Sequence, residues 1–231
     1  MITFSDQSGC LGLNHGWVKA IEEIYVEQHE IGTPIMILPQ TFYDHDADAV
    51  AKKILGCYLV HIENERTTLG RIVETEAYIS NDPACHAFKG KTKRNSVLFG
   101  PAGYAYVYLI YGIHYCFNVV AGQKETGQAV LIRALEPLRG ISIMQERRRT
   151  EERKLLCNGP GKLTQALRID ISFNGIPVFE GPLQIWSPDS LDDYRAIQRP
   201  EIVETTRIGI SQAKELPLRF YLKGSNYVSR K

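Results

Sequence analysis

Apolar positions recur with two different periods, and the change of period divides the chain. Trp17, Ile21, Ile24 and Tyr25 have helical spacing over Trp17–His29 (WVKAIEEIYVEQH), between Gly16 and Gly32-Thr33-Pro34. A second helix is predicted over Asp48–Leu55, with an acidic first turn and Gly56 as its stop. Beyond Gly56 the period falls to two. Cys57–Ile62 and Thr68–Tyr78 read as strands around a polar Glu63–Arg66 turn, and Gly103–Ile110 and His114–Val120 as strands around the break Tyr111-Gly112-Ile113. Val130–Leu135 is a further strand. Arg139–Arg153, with only Ile141, Ile143 and Met144 apolar, predicts an exposed helix, and Leu163–Leu167 a short one. Strand pairs around Val178–Trp186 and Arg207–Tyr221 complete a predominantly antiparallel α+β domain over residues 37–231, with 1–36 as an N-terminal extension.

Composition narrows the class. With 231 residues, 44% hydrophobic and 23% charged, the chain can bury a core without a metal or disulfide staple. Mean hydropathy is −0.20, and no apolar run approaches the roughly 18 residues of a membrane span. The text MITFSDQSGC has no basic leader followed by an apolar stretch. Five cysteines without a C-x-x-C spacing read as reduced thiols, so a cytoplasmic location is expected. A net charge of +1 gives no bulk support for a nucleic-acid partner. Local charge placement must decide that question.

Four segments offer chemistry. In Arg71-Ile-Val-Glu-Thr-Glu-Ala-Tyr78, Glu74, Glu76 and Tyr78 share one strand face, the carboxylates roughly 6.5–7 Å apart by the strand rise. That pattern fits an internal ion pair, a solvated face, or loosely the paired carboxylates of an O-glycoside hydrolase. Tyr104, Tyr106 and Tyr108 line one face of the next hairpin, as core edges often do, while Tyr111 at its tip has the character of an apolar wedge. The loop His86–Arg94 (HAFKGKTKR) holds three lysines and an arginine and no acid, suited to solvent or to phosphates. Lys162 follows Gly159-Pro160-Gly161, but Leu156 and Leu163 break the nucleotide-binding pattern, leaving at most a single-phosphate site. Asp44, Asp46 and Asp48 begin like a calcium loop that Ala49 and Leu55 then violate.

Read together, RIVETEAY (71–78), His86, KTKRN (91–95), GYAYVYLIYGIHYCFNVV (103–120), AVLIRALEP (129–137), NGPGKLTQAL (158–167) and RIGISQAKELPLRFYLKGS (207–225) resemble the alkyladenine (3-methyladenine) DNA glycosylase family of base-excision repair. The resemblance runs in unbroken order over roughly residues 38–228. It implies a curved, open-barrel-like sheet flanked by helices, with a protruding hairpin. It also implies a monofunctional enzyme that flips alkylated or deaminated purines from double-stranded DNA and hydrolyses the N-glycosidic bond with an activated water, with no lyase step. Family positions transfer onto Glu76 as general base and Arg133 as its partner, with Glu74 as support. Tyr78, His86, Tyr108 and Asn118 map to the base pocket, Tyr111 and Ile113 to the intercalating tip. Lys91, Lys93, Arg94 and Lys162 are candidate phosphate contacts. The resemblance implies no metal and no organic cofactor, no membrane partner, and a monomer. Ile113, Cys85 and Ser96 depart from residues common in the family. The competing reading is a non-catalytic damaged-DNA binding module, against which Glu76 and Arg133 both stand.

Overall fold

The computed structural model describes residues 35–64, 66–190 and 201–230, so the predicted helix Trp17–His29 lies outside the described residues. Within them run strands β1 (Tyr58–Glu63), β2 (Arg66–Tyr78), β3 (Ala105–Ile110), β4 (His114–Ala121), β5 (Gln128–Arg139), β6 (Leu183–Trp186), β7 (Ile202–Thr205) and β8 (Arg219–Leu222). Three α-helices accompany them: α1 (Ala47–Lys53), α2 (Ile141–Arg148) and α3 (Pro160–Leu167). All strand pairs are antiparallel, in the order β3-β4-β5-β2-β1-β6, with β8 joining β2 and β7 joining β8. The result is a curled half-barrel sheet in one mixed α+β domain, as the family resemblance implied.

The curl originates in β2. Its register against β5 shifts at Leu69/Gly70, Ile72/Glu74 and Glu74/Thr75. Bulges of this kind bend a strand and re-aim its side chains. At Gly70 the two backbones approach so closely that an added Cβ would lie 2.9 Å from the Leu135 Cβ. The bend lets β2 pair with β1 along its first half and with β8 at Glu74–Glu76.

The two faces of β2 meet different surroundings. Val73 and Ala77 belong to the main core, with Ala47, Val50 and Ala51 of α1 and Leu163, Ala166 and Leu167 of α3. Thr75, pointing the same way, donates its hydroxyl to the Ala51 carbonyl at 2.9 Å. Glu74, Glu76 and Tyr78 project from the other face, and there the candidate site residues gather.

Several predicted boundaries moved, each for a physical reason. The helix expected over Arg139–Arg153 occupies only Ile141–Arg148, entered through left-handed Gly140 and ended by left-handed Arg149. The short helix begins at Pro160 and not Leu163, proline being at home in a first turn. The strand expected from Arg207 starts only at Arg219, and its partner is Ile202–Thr205. Val178 stays outside a strand, although its amide donates to the Gly103 carbonyl at 2.9 Å.

Candidate active site

Two buried carboxylates share one arginine. The register runs from Glu74↔Ala134 directly to Thr75↔Ile132, which leaves Arg133 as the extra residue of the bulge. Its guanidinium lies 3.2 Å from Glu74 Oε1 through Nε and 3.2 Å from Glu76 Oε1 through Nη1. Glu74 is saturated. It accepts from Arg133, from Arg219 Nε at 2.7 Å, and from the Ser229 amide and hydroxyl at 2.6 and 2.9 Å. Arg133 in turn donates through Nη2 to the Ser229 hydroxyl at 3.3 Å.

Glu76 is less fully occupied. Its Oε1 accepts the Ile208 amide at 2.8 Å beside the Arg133 contact, and its Oε2 accepts the Tyr78 hydroxyl at 2.9 Å. An ionised carboxylate offers about four lone-pair sites, so among the described residues one remains without a partner, on Oε2. Burial raises the Glu76 pKa above the ordinary glutamate range, while Arg133, the Ile208 amide and Tyr78 pull against that rise without cancelling it. The side chain is fully buried, yet Tyr78, Arg133 and Ile208, which enclose it, all line one cleft of about 540 Å³. Glu76 thus sits directly beneath the cleft floor. A space of this size falls within the range of small-molecule sites.

Aromatic groups form the walls. Tyr78, His86, Tyr106, Tyr108 and Asn118 all line the cleft. His86 packs edge-on to Tyr108 at 4.6 Å between centroids, and its Nδ1 lies 3.0 Å from the Tyr106 hydroxyl. Desolvation and then the nearby Arg94 lower the His86 pKa, which favours the neutral ring at pH 7. Desolvation pushes the Tyr106 phenol to about 12, and Tyr78 and Tyr108 higher still, so every phenol here stays protonated. Asn118 is fixed by donating to the Tyr106 carbonyl across the hairpin at 3.1 Å.

The hairpin tip behaves oppositely. Tyr111 and Gly112 both have positive φ, 53° and 71°, as a tight primed-type turn requires. Tyr111 is 82% exposed and Ile113 72%, while Leu109 nearby is also exposed. Tyr111 reaches the rim of the cleft, as does Pro160 at the start of α3.

The four candidate phosphate residues are not among those that line the cleft. Lys91, Lys93 and Arg94 are exposed, and Lys91 makes a loose pair with Glu125 at 3.5 Å. Their loop is held by buried Asn95, whose amide nitrogen donates to the His86 and Gly90 carbonyls and whose oxygen accepts the Thr92 amide. Lys162 donates to Asn158 Oδ1 at 2.7 Å, and like Lys91, Lys93, Arg94 and Ile113 it lies outside the cleft lining.

Sequence reasoning missed one entire wall. Ile208–Gln212 line the cleft, and so do Lys89, Cys116 and Leu131. Over the Tyr78 ring stands Arg207, its guanidinium 4.8 Å from the ring centroid and ion-paired with buried Asp82. Among the described residues no group of three or more His, Cys, Asp or Glu side chains is arranged to hold a metal ion, and no helix is long and apolar enough to cross a membrane.

A buried acid under an aromatic cleft beside an exposed aromatic tip is an arrangement that known proteins can be compared with directly. A family model described as methylpurine-DNA glycosylase (MPG) matches residues 41–226. A protein of Methanoculleus marisnigri is 57% identical over 196 residues, covering 85% of this chain and all of its own length. One of Carboxydothermus hydrogenoformans is 52% identical with the same coverage, and one of Francisella tularensis is 50% identical over 78% of this chain and 92% of its own length. All three carry the name "Putative 3-methyladenine DNA glycosylase". A match across more than three-quarters of the sequence, spanning every residue of the floor except Ser229, settles the relationship: the chain belongs to the methylpurine-DNA glycosylase family, monofunctional N-glycosylases that repair alkylated purines in DNA.

Proposed function

We propose that the protein extrudes alkylated or deaminated purines from duplex DNA, 3-methyladenine, 7-methylguanine and hypoxanthine among them, and hydrolyses the N-glycosidic bond with one activated water. The observation that carries this reading is the Glu76 carboxylate beneath an aromatic cleft, with one acceptor site left free. A water donating to that Oε2 site loses its proton to Glu76 as its oxygen attacks the anomeric carbon. The bond to the purine nitrogen breaks with its electron pair moving onto the departing base. Charge that builds on the sugar is positive, and the ionised carboxylate beside it lowers the barrier. Burial, by raising the Glu76 pKa, makes it a stronger base than a solvated glutamate. Arg133 orients the carboxylate through their contact, and Glu74 holds Arg133 in place.

Recognition falls to the walls. Tyr78, His86 and Tyr108 offer ring faces and edges to the extruded purine, and a cationic alkylpurine gains roughly 0.5–2 kcal/mol per aromatic contact over a neutral base. Asn118, fixed by its bond to the Tyr106 carbonyl, crowds the purine edge and disfavours the exocyclic amino group of ordinary guanine. Tyr111, with Ile113, fills the space the base vacates. Lys91, Lys93, Arg94 and Lys162 contact phosphates. The family is monofunctional and its pattern includes no lysine nucleophile toward the sugar, so the product is an intact abasic strand. The protein acts as a monomer on a single lesion.

The test incubates the full chain with duplexes carrying hypoxanthine, 3-methyladenine or 7-methylguanine. Release of free base with alkali-labile strands is the expected result. Tight lesion binding without base release would replace the enzyme with a damaged-DNA binding module, and strand cleavage without alkali would add the lyase step excluded above.

A further inference from the structure

Tyr78 is built with a different environment on each side of its ring. One side belongs to the cleft lining. Over the ring lies the Arg207 guanidinium, 4.8 Å from the centroid. Arg207 has a fully buried side chain and takes no part in the cleft lining, so its charge acts on the cleft from outside it. Asp82, also fully buried, pairs with both terminal nitrogens of Arg207, the Nη2–Oδ1 contact measuring 2.9 Å. Nη1 also donates to the Ala77 carbonyl at 3.0 Å. The Nε–H has no hydrogen-bond acceptor among the described residues, so part of the cation is not quenched by hydrogen bonding.

We infer that Arg207, set by Asp82, is a specificity-determining residue that tempers the preference of the Tyr78 face for cationic over neutral purines. The inference rests on the proposed base-flipping reaction. An aromatic ring attracts a cation through the electron density above its face. A guanidinium behind the ring draws on the same density, and its charge also repels a second cation in front. Arg207 therefore weakens the attraction for a positively charged 7-methylguanine more than for neutral hypoxanthine, whose stacking depends little on net charge. Asp82 is the counter-ion of Arg207 and limits that repulsion. The pair thus acts as a fixed dipole, its positive end toward the ring, and leaves the slot open to lesions of both charge states.

The two halves of the pair make opposite predictions. Asp82→Asn bares the cation, and the ratio of single-turnover rates for 7-methylguanine over hypoxanthine duplexes should fall at least roughly threefold from wild type. Asp82→Asn combined with Arg207→Gln removes the dipole without stranding a buried charge, and the ratio should rise by a similar factor. A ratio between substrates does not depend on the fraction of protein that folds. Where a variant turns over too slowly, equilibrium binding of the same two duplexes supplies the ratio. Opposite shifts support the inference; ratios within twofold of wild type, or shifts in the same direction, overturn it. Failure of the wild-type protein to release either base would instead defeat the proposed reaction.

Discussion

The cleft floor and the hairpin tip lie at the two ends of one site, and they are built by opposite rules. Around Glu74, Glu76 and Arg133 nearly every polar atom has a partner drawn from a distant part of the chain: Ile208, Arg219 and Ser229 all reach in. At the tip, Tyr111 and Ile113 stand in solvent on a turn of three residues. The floor is fixed before any substrate arrives, as transition-state stabilisation demands. The tip leaves its apolar surface uncovered, as the proposed wedge role needs.

The comparison breaks most sharply at Glu76. Glu76→Gln should lower turnover by roughly 10²- to 10⁴-fold, the usual span for a positioned general base, while lesion-duplex binding stays within a few-fold. Unchanged rates would remove Glu76 as the base. The same variant should melt no lower than wild type at pH 7. A carboxyl group whose folded pKa is raised contributes stability that is fully present below its unfolded pKa and lost as pH rises through the folded value. The difference in melting temperature should therefore shrink as pH falls toward the ordinary glutamate range, and a wider gap there would contradict the burial effect.

At the tip the signs reverse. Tyr111→Ser should cut base release by about 10- to 100-fold, the effect of losing an intercalating wedge, with the melting temperature unmoved. A collapse of the fold would mean the phenol is structural, which its exposure argues against.

The smallest expected effect sharpens the account of the floor. Ser229→Ala removes a hydroxyl that bridges Arg133 and Glu74. Turnover should fall roughly 3- to 10-fold, as for one or two lost hydrogen bonds. With Arg133 less firmly held against Glu76, the acid limb of the pH–rate profile should move to higher pH, and Ser229→Thr should restore it. A lower rate with an unmoved limb would reduce Ser229 to a packing role.

Legibility in the sequence follows the same division. The strands that carry the floor were readable because alternation survives wherever one sheet face meets the core, and β1 to β4 lie within two residues of the predicted ends. The hairpin tip was readable from a large aromatic beside glycine in a break between strands. What could not be read was irregular backbone. Ile208–Gln212 have no period, and the Asp82–Arg207 pair joins positions 125 apart in sequence. Nor could alternation reveal that Arg133 is the extra residue of a bulge, since an added residue leaves the amino-acid pattern almost unchanged. The family resemblance placed Arg133 beside Glu76; the geometry explains how it gets there.

The left-handed backbone at Tyr111 has a practical consequence for anyone engineering the protein. A non-glycine residue held there costs about 1–2 kcal/mol against conformations it would choose freely, and asparagine or glycine would relieve that strain. A library ranked by heat resistance would enrich those replacements at position 111, and if Tyr111 is the wedge proposed above, its winners would be sturdier proteins that can no longer hold a helix open.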